Sequence, residues 1–320
     1  MRQPDRVSEA GRATVLAAAV ELGYRPNAVA RSLVQRRTNV IGVIVADLHN
    51  PFFADVADGI EDAACRSGYR AMLSSGFLDP KRERGAMETM LELRVDGLIM
   101  LGSMIPVVKI GKVAASLPVT LVGRHTRSRV VDSVGVDNFA GAQAVVDYLV
   151  AQGHTRIAHI HAGTVGGSPR RRTGYEKAMR RHGIEDHIRL VEGAFTEAGG
   201  AKAMNEILES GEIPTAVFAP NDVAAIGAME AIDAAGLAIP GDISLVGYDN
   251  LALASLPRIA LTTVGQPRAD LGRRAVALVL ERLDGGRERA RHVVVPPRLV
   301  VRSTTGPPPG GPGSDHNRSR

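Results

Sequence analysis

The sequence predicts an α/β protein of two doubly wound lobes, with a short helical segment in front of them. Three observations predict it. Short apolar runs alternate with helical stretches along most of the 320 residues, and strand then helix, repeated, makes parallel sheets with helices on both faces. The runs are nearly continuous in apolar residues, as strands buried on both sides are. Their number is large for one open sheet, so two lobes share them.

The elements follow in order. Residues 9–22 read as one helix, with Ser8 as N-cap and Glu9 suited to the positive helix end. Val15, Ala18, Ala19 and Leu22 share one face by helical spacing. Gly23 supplies a stop and Pro26 prevents continuation. Asn27 then caps a second short helix, 28–34, and 35–38 form a polar link. From residue 39 the expected strands are 40–46, 71–74, 97–101, 119–122, 157–161, 216–219 and 243–246. The expected helices are 53–66, 82–93, 140–151, 172–182, 201–208, 223–235 and 269–283. The Pro-, Gly- and Ser-rich tail is predicted to be disordered.

Composition narrows the function classes. Apolar residues are 44% and charged residues 23%, as in ordinary globular proteins. No apolar run reaches the roughly 18 residues of a membrane-spanning helix. The first ten residues are polar and lack a signal-peptide core, and Cys65 is the sole cysteine. A reducing cytoplasm is the expected setting, with no disulfide and no membrane contact. The net charge is +5, and it is concentrated at the front. Arg2, Arg6, Arg12, Arg25, Arg31, Arg36 and Arg37 stand there against Asp5, Glu9 and Glu21. A basic arm on a near-neutral body suits a polyanion such as nucleic acid, though a solvated helix surface is the plainer account of the same charges.

Enzyme signatures are missing. There is no G-x-G-x-x-G after the first strand, no phosphate loop, no G-x-S-x-G elbow and no H-E-x-x-H. His154, His159 and His161 form the richest histidine cluster. The latter two share a strand face, but packing and hydrogen bonding explain them more simply than a metal does. Cys65 sits on a helix with no obvious base, as a structural thiol does. The chain is therefore read as no enzyme, with no cofactor and no metal.

Ligands of doubly wound sheets bind beyond the carboxyl ends of the strands, so the loops there carry the candidates. The first strand ends in ADLHNPFF at 46–53, which places two of the chain's six phenylalanines in one loop. Aromatic faces suit sugar C–H faces and flat rings, and Asn50 can donate and accept; one of Phe52 and Phe53 is as well suited to plugging the core. Arg171 opens a helix and can hold hydroxyls or a carboxylate in a fork. Asn221-Asp222 and Asp249-Asn250 follow two later strands. Of the first pair, Asp222 is expected to cap the helix and Asn221 to meet ligand. The set is a neutral-polar cleft with no acid–base pair and no nucleophile, which favours binding over catalysis.

These ordered motifs resemble the lactose-repressor (LacI) family of bacterial regulators, from about residue 7 to 304. The resemblance rests on VSEAGRATVLAAAVELGYRPNAVARSL at 7–33, NVIGVIVADLHNPFF at 39–53, RVDGLIM at 94–100, GHTRIAHI at 153–160, RRTGY at 171–175, NDVAAIGAM at 221–229, GDISLVGYDN at 241–250 and LTTVGQPRADLGRRAV at 261–276. It implies a periplasmic-binding-protein-like core of two lobes joined by three crossovers, preceded by a partial helical DNA-binding headpiece. The expected division is headpiece and hinge helix at 1–38, core at 39–304 and disordered tail at 305–320. Lobe one takes about 39–152 and 266–293, lobe two about 153–265 and 294–304. By motif, Asn50, Phe52, Phe53, Arg171, Asn221 and Asp249 match ligand-binding positions. Arg124 and Asp137 match rim positions, and Gln266 is read as hinge.

The resemblance also implies that the family's first two headpiece helices are missing before Val7. Residues 27–34 match its hinge helix, with Asn27, Ala30, Arg31 and Leu33 as DNA contacts and Leu33 as a minor-groove wedge. It implies a homodimer, operator DNA where the headpiece is complete, and a small sugar-like effector, with a free-standing cytoplasmic sugar-binding protein as the alternative.

Overall fold

The computed structural model describes residues 8–22 and 37–310. Helix α1 spans Glu9–Glu21, and the Gly11 N–H donates to Ser8 Oγ at its start. Val15 and Leu22 of its expected apolar face are exposed. The hinge segment, with Asn27, Ala30, Arg31 and Leu33, lies outside the described residues, as does 311–320.

Two sheets follow. The first has strands β1 (Val40–Val45), β2 (Arg70–Ser75), β3 (Gly97–Leu101), β4 (Val119–Val122) and β5 (Asp132–Val136), and is completed by β11 (His292–Val295). Its order is β2-β1-β3-β4-β5-β11, all parallel. The second holds β6 (Ile157–His161), β7 (Arg189–Glu192), β8 (Ala216–Phe218), β9 (Ser244–Asp249), β10 (Thr262–Gly265) and β12 (Arg298–Val300). Its order is β7-β6-β8-β9-β10-β12, with only β12 antiparallel. Strands such as β1, VIGVIV, and β3, GLIML, are apolar throughout because helices cover both faces.

The helices are α2 (Pro51–Arg66), α3 (Pro80–Glu92), α4 (Val107–Val113), α5 (Asn138–Ala151), α6 (Ser168–Arg181), α7 (Glu197–Glu209), α8 (Asp222–Ala234) and α9 (Arg268–Leu283). Helices α2 and α9 pack together on the first sheet, and α5 with α6 and α7 with α8 pack as pairs on the second. Asn50 and Asp79 cap α2 and α3, each followed by a proline in the first turn. The chain crosses between lobes three times: at Asp137, at Gln266-Pro267 and at Pro296-Pro297.

The domain boundaries differ from the sequence expectation in three places. Helix α5, assigned to lobe one, belongs to lobe two. Its Ala142, Val145, Val146 and Leu149 are buried in one cluster with Tyr175, Met179 and Phe218. Strand–helix alternation looks the same on either side of a crossover, so periodicity could not place it. Strand β11 keeps the chain in lobe one through Val295, because it pairs with β5. The start of the tail is ordered as well. Tyr148 Oη bonds Thr305 Oγ1 at 2.8 Å, and His154 Nε2 donates to the Gly306 carbonyl at 2.8 Å.

Candidate functional site

A cleft of about 400 Å³ opens between the lobes. Each of β1 through β10 lends it a residue at or just past its carboxyl end, from Ala46 and Asp47 after β1 to Gln266 after β10. This is where the polar and aromatic residues of a doubly wound sheet converge on a ligand.

Six sequence candidates line it: Asn50, Phe52, Phe53, Arg171, Asn221 and Asp249. Asn50 caps α2, its Oδ1 accepting from the Phe52 N–H at 3.0 Å. Phe52 is buried among Val56 and Ile60 and serves the lobe-one core. Phe53 stands edge-on to it at 5.3 Å, only partly buried, against Gly102. A Cβ on Gly102 would lie 2.6 Å from the Phe53 ring, and φ there is +67°. Glycine therefore meets both needs at that position.

Arg171 is fixed on all sides. Its Nε donates to Asn138 Oδ1 at 2.9 Å and one terminal nitrogen donates to the Pro220 carbonyl. The other lies 3.9 Å from Asp249 Oδ1, and the guanidinium sits 3.5 Å from the Tyr248 ring centroid. Asp249 is buried, with Oδ1 accepting from Gln266 Nε2 at 2.5 Å. Burial raises its carboxyl above the ordinary range, and Arg171 and Gln266 pull it back. Asp249 and Asn250 both take positive φ, +116° and +54°. Arg268 donates to both of their carbonyls and to Asp55 Oδ2, which offsets the strain of a left-handed non-glycine pair.

Asp222 is not the helix cap it was expected to be; Asn221 takes that place as well as a position on the cleft. Asn221 caps α8, its Oδ1 accepting from Ala224 N–H at 2.8 Å, while its Nδ2 donates to the Phe195 carbonyl. It still lines the cleft. Asp222 lies beneath, accepting from Leu251 N–H at 2.7 Å and Thr263 Oγ1 at 2.5 Å. Burial and the nearby Asp249 charge push its carboxyl up. Both residue types cap helices equally well, so composition could not separate them.

Neither Arg124 nor Asp137 is among the lining residues. Arg124 donates to the Ser103 and Ile105 carbonyls and braces a lobe-one loop. Asp137 caps α5 at the first crossover. Gln266 sits at a crossover and also faces the cleft through Asp249. Asn138, the 162–167 loop, and Glu192 with Phe195 also line the cleft and are not among the sequence candidates. The scarcity of phenylalanine that marked 52–53 applied equally to Phe195. Strand β7 has only Leu190 and Val191 as an apolar run, too short to mark the loop after it.

Among the described residues no cluster of His, Cys, Asp and Glu could hold a metal. His159 stacks on Phe218 at 4.4 Å and its Nδ1 donates to the Phe218 carbonyl. His161 accepts from Gly163 N–H, and His154 holds the tail. Cys65 is exposed on α2.

Two parallel-sheet lobes, three crossovers and a ligand-sized cleft between them define a periplasmic-binding-protein-like core. Residues 146–305 match the periplasmic binding protein-like domain family. The HTH-type transcriptional repressor CytR of Escherichia coli K12 is 33% identical over 95% of this chain and 90% of its own length. The structure is similar to that of the lac repressor dimer bound to operator and the anti-inducer ONPF, with a TM-score of 0.85 at 28% identity, covering 95% of this chain and 93% of the other. A LacI-family regulator from Enterococcus faecium with bound ribose matches with a TM-score of 0.75 at 27% identity, over 84% of this chain and 99% of its own. The chain belongs to the LacI family of DNA-binding transcriptional regulators. No described helix is long and apolar enough to cross a membrane.

Proposed function

We propose that this protein is a cytoplasmic, homodimeric repressor, not an enzyme, whose interlobe cleft takes a small sugar-like effector that alters its hold on operator DNA. The observation that carries the reading is the cleft itself. It joins Phe53 and Phe195 with the prearranged Arg171–Asp249 pair and no nucleophile beside a base. Phenylalanine faces take the C–H side of a pyranose or furanose, and Asp249 Oδ2 and Gln266 Oε1 are left to accept from its hydroxyls. The ribose-bound regulator and the operator-bound lac repressor dimer support sugar, DNA and dimer in turn.

The effector acts only through its differential affinity for two lobe arrangements. Asn27, Ala30, Arg31 and Leu33 are the proposed DNA contacts of the hinge segment. The relatives' repressor function favours this reading over a free-standing sugar-binding protein. Isothermal titration with pentoses and hexoses tests it. Asp249→Asn keeps the shape of the site and removes the charge, and is expected to weaken binding about 10- to 100-fold. An unchanged affinity in a folded variant would remove Asp249 from the site.

A further inference from the structure

The charges of the cleft restrict which effector it can take. Three carboxylates line it, Asp47, Glu192 and Asp249, against one cation, Arg171. That cation is already spent on Asn138, the Pro220 carbonyl, Asp249 and the Tyr248 ring. Its side chain is 6% exposed. Asp47 gives one oxygen to its own turn, where His49 N–H and Nδ1 meet it. Glu192 is exposed, with Oε1 beside Gly163, and its carboxylate has no hydrogen-bond or ion-pair partner among the described residues.

The hydrogen-bonding groups are mixed, and none of the free donors carries a charge. Asp47 Oδ2, Asp249 Oδ2, Gln266 Oε1 and both Glu192 oxygens remain as acceptors. The loop at 162–167 offers some neutral backbone donors. The Ala162, Gly163 and Val165 N–H groups are used internally, on Ser168 Oγ, His161 Nδ1 and the Ala162 carbonyl, while those of Thr164, Gly166 and Gly167, with Asn50 Nδ2, face the cleft as uncharged donors. Pro169, next in the helix, has none to give. A phosphate or carboxylate brings only acceptors and negative charge into this site. Hydroxyls bring donors.

We propose that the cleft selects a neutral, hydroxyl-rich effector and rejects the phosphorylated or carboxylated form of the same sugar, with Glu192 as a residue that enforces the rejection. This deepens the sugar-effector reading and rests on it. Specificity of this kind comes from a repulsive element as much as from an attractive one. An anion closing into the cleft would lose its water and meet no free cation.

The test is isothermal titration of the full chain with matched pairs: D-ribose and D-ribose 5-phosphate, D-glucose and D-glucose 6-phosphate, adenosine and AMP. For any pair that binds, the phosphate is expected to bind at least about 100-fold more weakly. Glu192→Gln, checked for an unchanged melting temperature, is expected to narrow that ratio about fivefold or more. A phosphate that binds as tightly as its neutral partner overturns the inference and leaves the effector cleft standing. A ratio unmoved in Glu192→Gln removes Glu192 from the rejection. Binding by no member of any pair would count against the sugar reading itself, and the inference would fall with it.

Discussion

Arg171 and Asp249, the proposed effector contacts, are held in place by the protein itself. The guanidinium lies flat on Tyr248, with its edges held by Asn138 and Pro220, so its orientation costs little further entropy on binding. A second residue-scale consequence lies beneath the site. Burial pushes the His159 imidazole down to about 3, whereas in an unfolded chain it titrates near 6.5. Between those values the unfolded chain binds the extra proton, so His159 stability is present above the upper value and is lost as pH falls toward the lower. His159→Phe, which keeps the stack on Phe218 and cannot be protonated, is expected to lose less melting temperature between pH 6.5 and 4.5 than the parent protein. An equal acid slope in the two proteins would assign the loss to other groups. At this scale the sequence showed which residue types gather at strand ends, but not what each one does. Asn221 rather than Asp222 caps α8, and Asp222 is buried beneath the cleft, because either residue type can cap a helix. Arg124 and Asp137 are spent on nearby backbone groups, because a matching motif does not fix where a side chain points.

Helices in this fold approach one another through glycine. At the α2–α9 crossing a Cβ on Gly59 would lie 2.3 Å from the Ala269 carbonyl oxygen, and one on Gly272 would lie 2.3 Å from that of Val56. No side chain could relieve either contact, because the obstacle is backbone. Helix α2 carries Phe53 into the cleft and α9 begins beside Gln266, so this crossing also positions the site. Gly272→Ala is expected to cost about 1–3 kcal/mol, read as a lower urea midpoint with the same m-value. A midpoint equal to that of the parent would mean the crossing is looser than the structure has it. The long elements were legible from sequence because β1, β3 and α9 carry strong apolar patterns. The short ones were not. Strand β5 hides behind Asp132, buried by its ion pairs with Arg282 and Arg287. Edge strand β7 carries only Leu190 and Val191 between charged residues, and in β11 the apolar run is three valines, half exposed and cut off by prolines.

At the scale of the molecule, two lobes meet over the carboxyl ends of their strands, and the chain passes between them three times. The two-lobe architecture followed from the number of strand–helix units. The positions of the crossovers did not, because α5 would satisfy either lobe by its own pattern and only its neighbours Tyr175 and Phe218 decide. Arg268 stands at one crossover, joining Asp55 of lobe one to the carbonyls of Asp249 and Asn250 in lobe two. Lobe angle and ligand-facing backbone are thus tied together. A bound effector that shifts one shifts the other, and the linker leaving lobe one at Thr38 and Asn39 is anchored to Asp96 of the same lobe.

The central claim is that cleft occupancy changes DNA affinity. Fluorescence anisotropy of the full chain on labelled DNA from upstream of its gene, with and without a neutral sugar shown by calorimetry to bind, tests it most directly. The account predicts a change in DNA affinity of about 5- to 150-fold, lost in Asp249→Asn. A sugar that fills the cleft and leaves DNA affinity unchanged would contradict it.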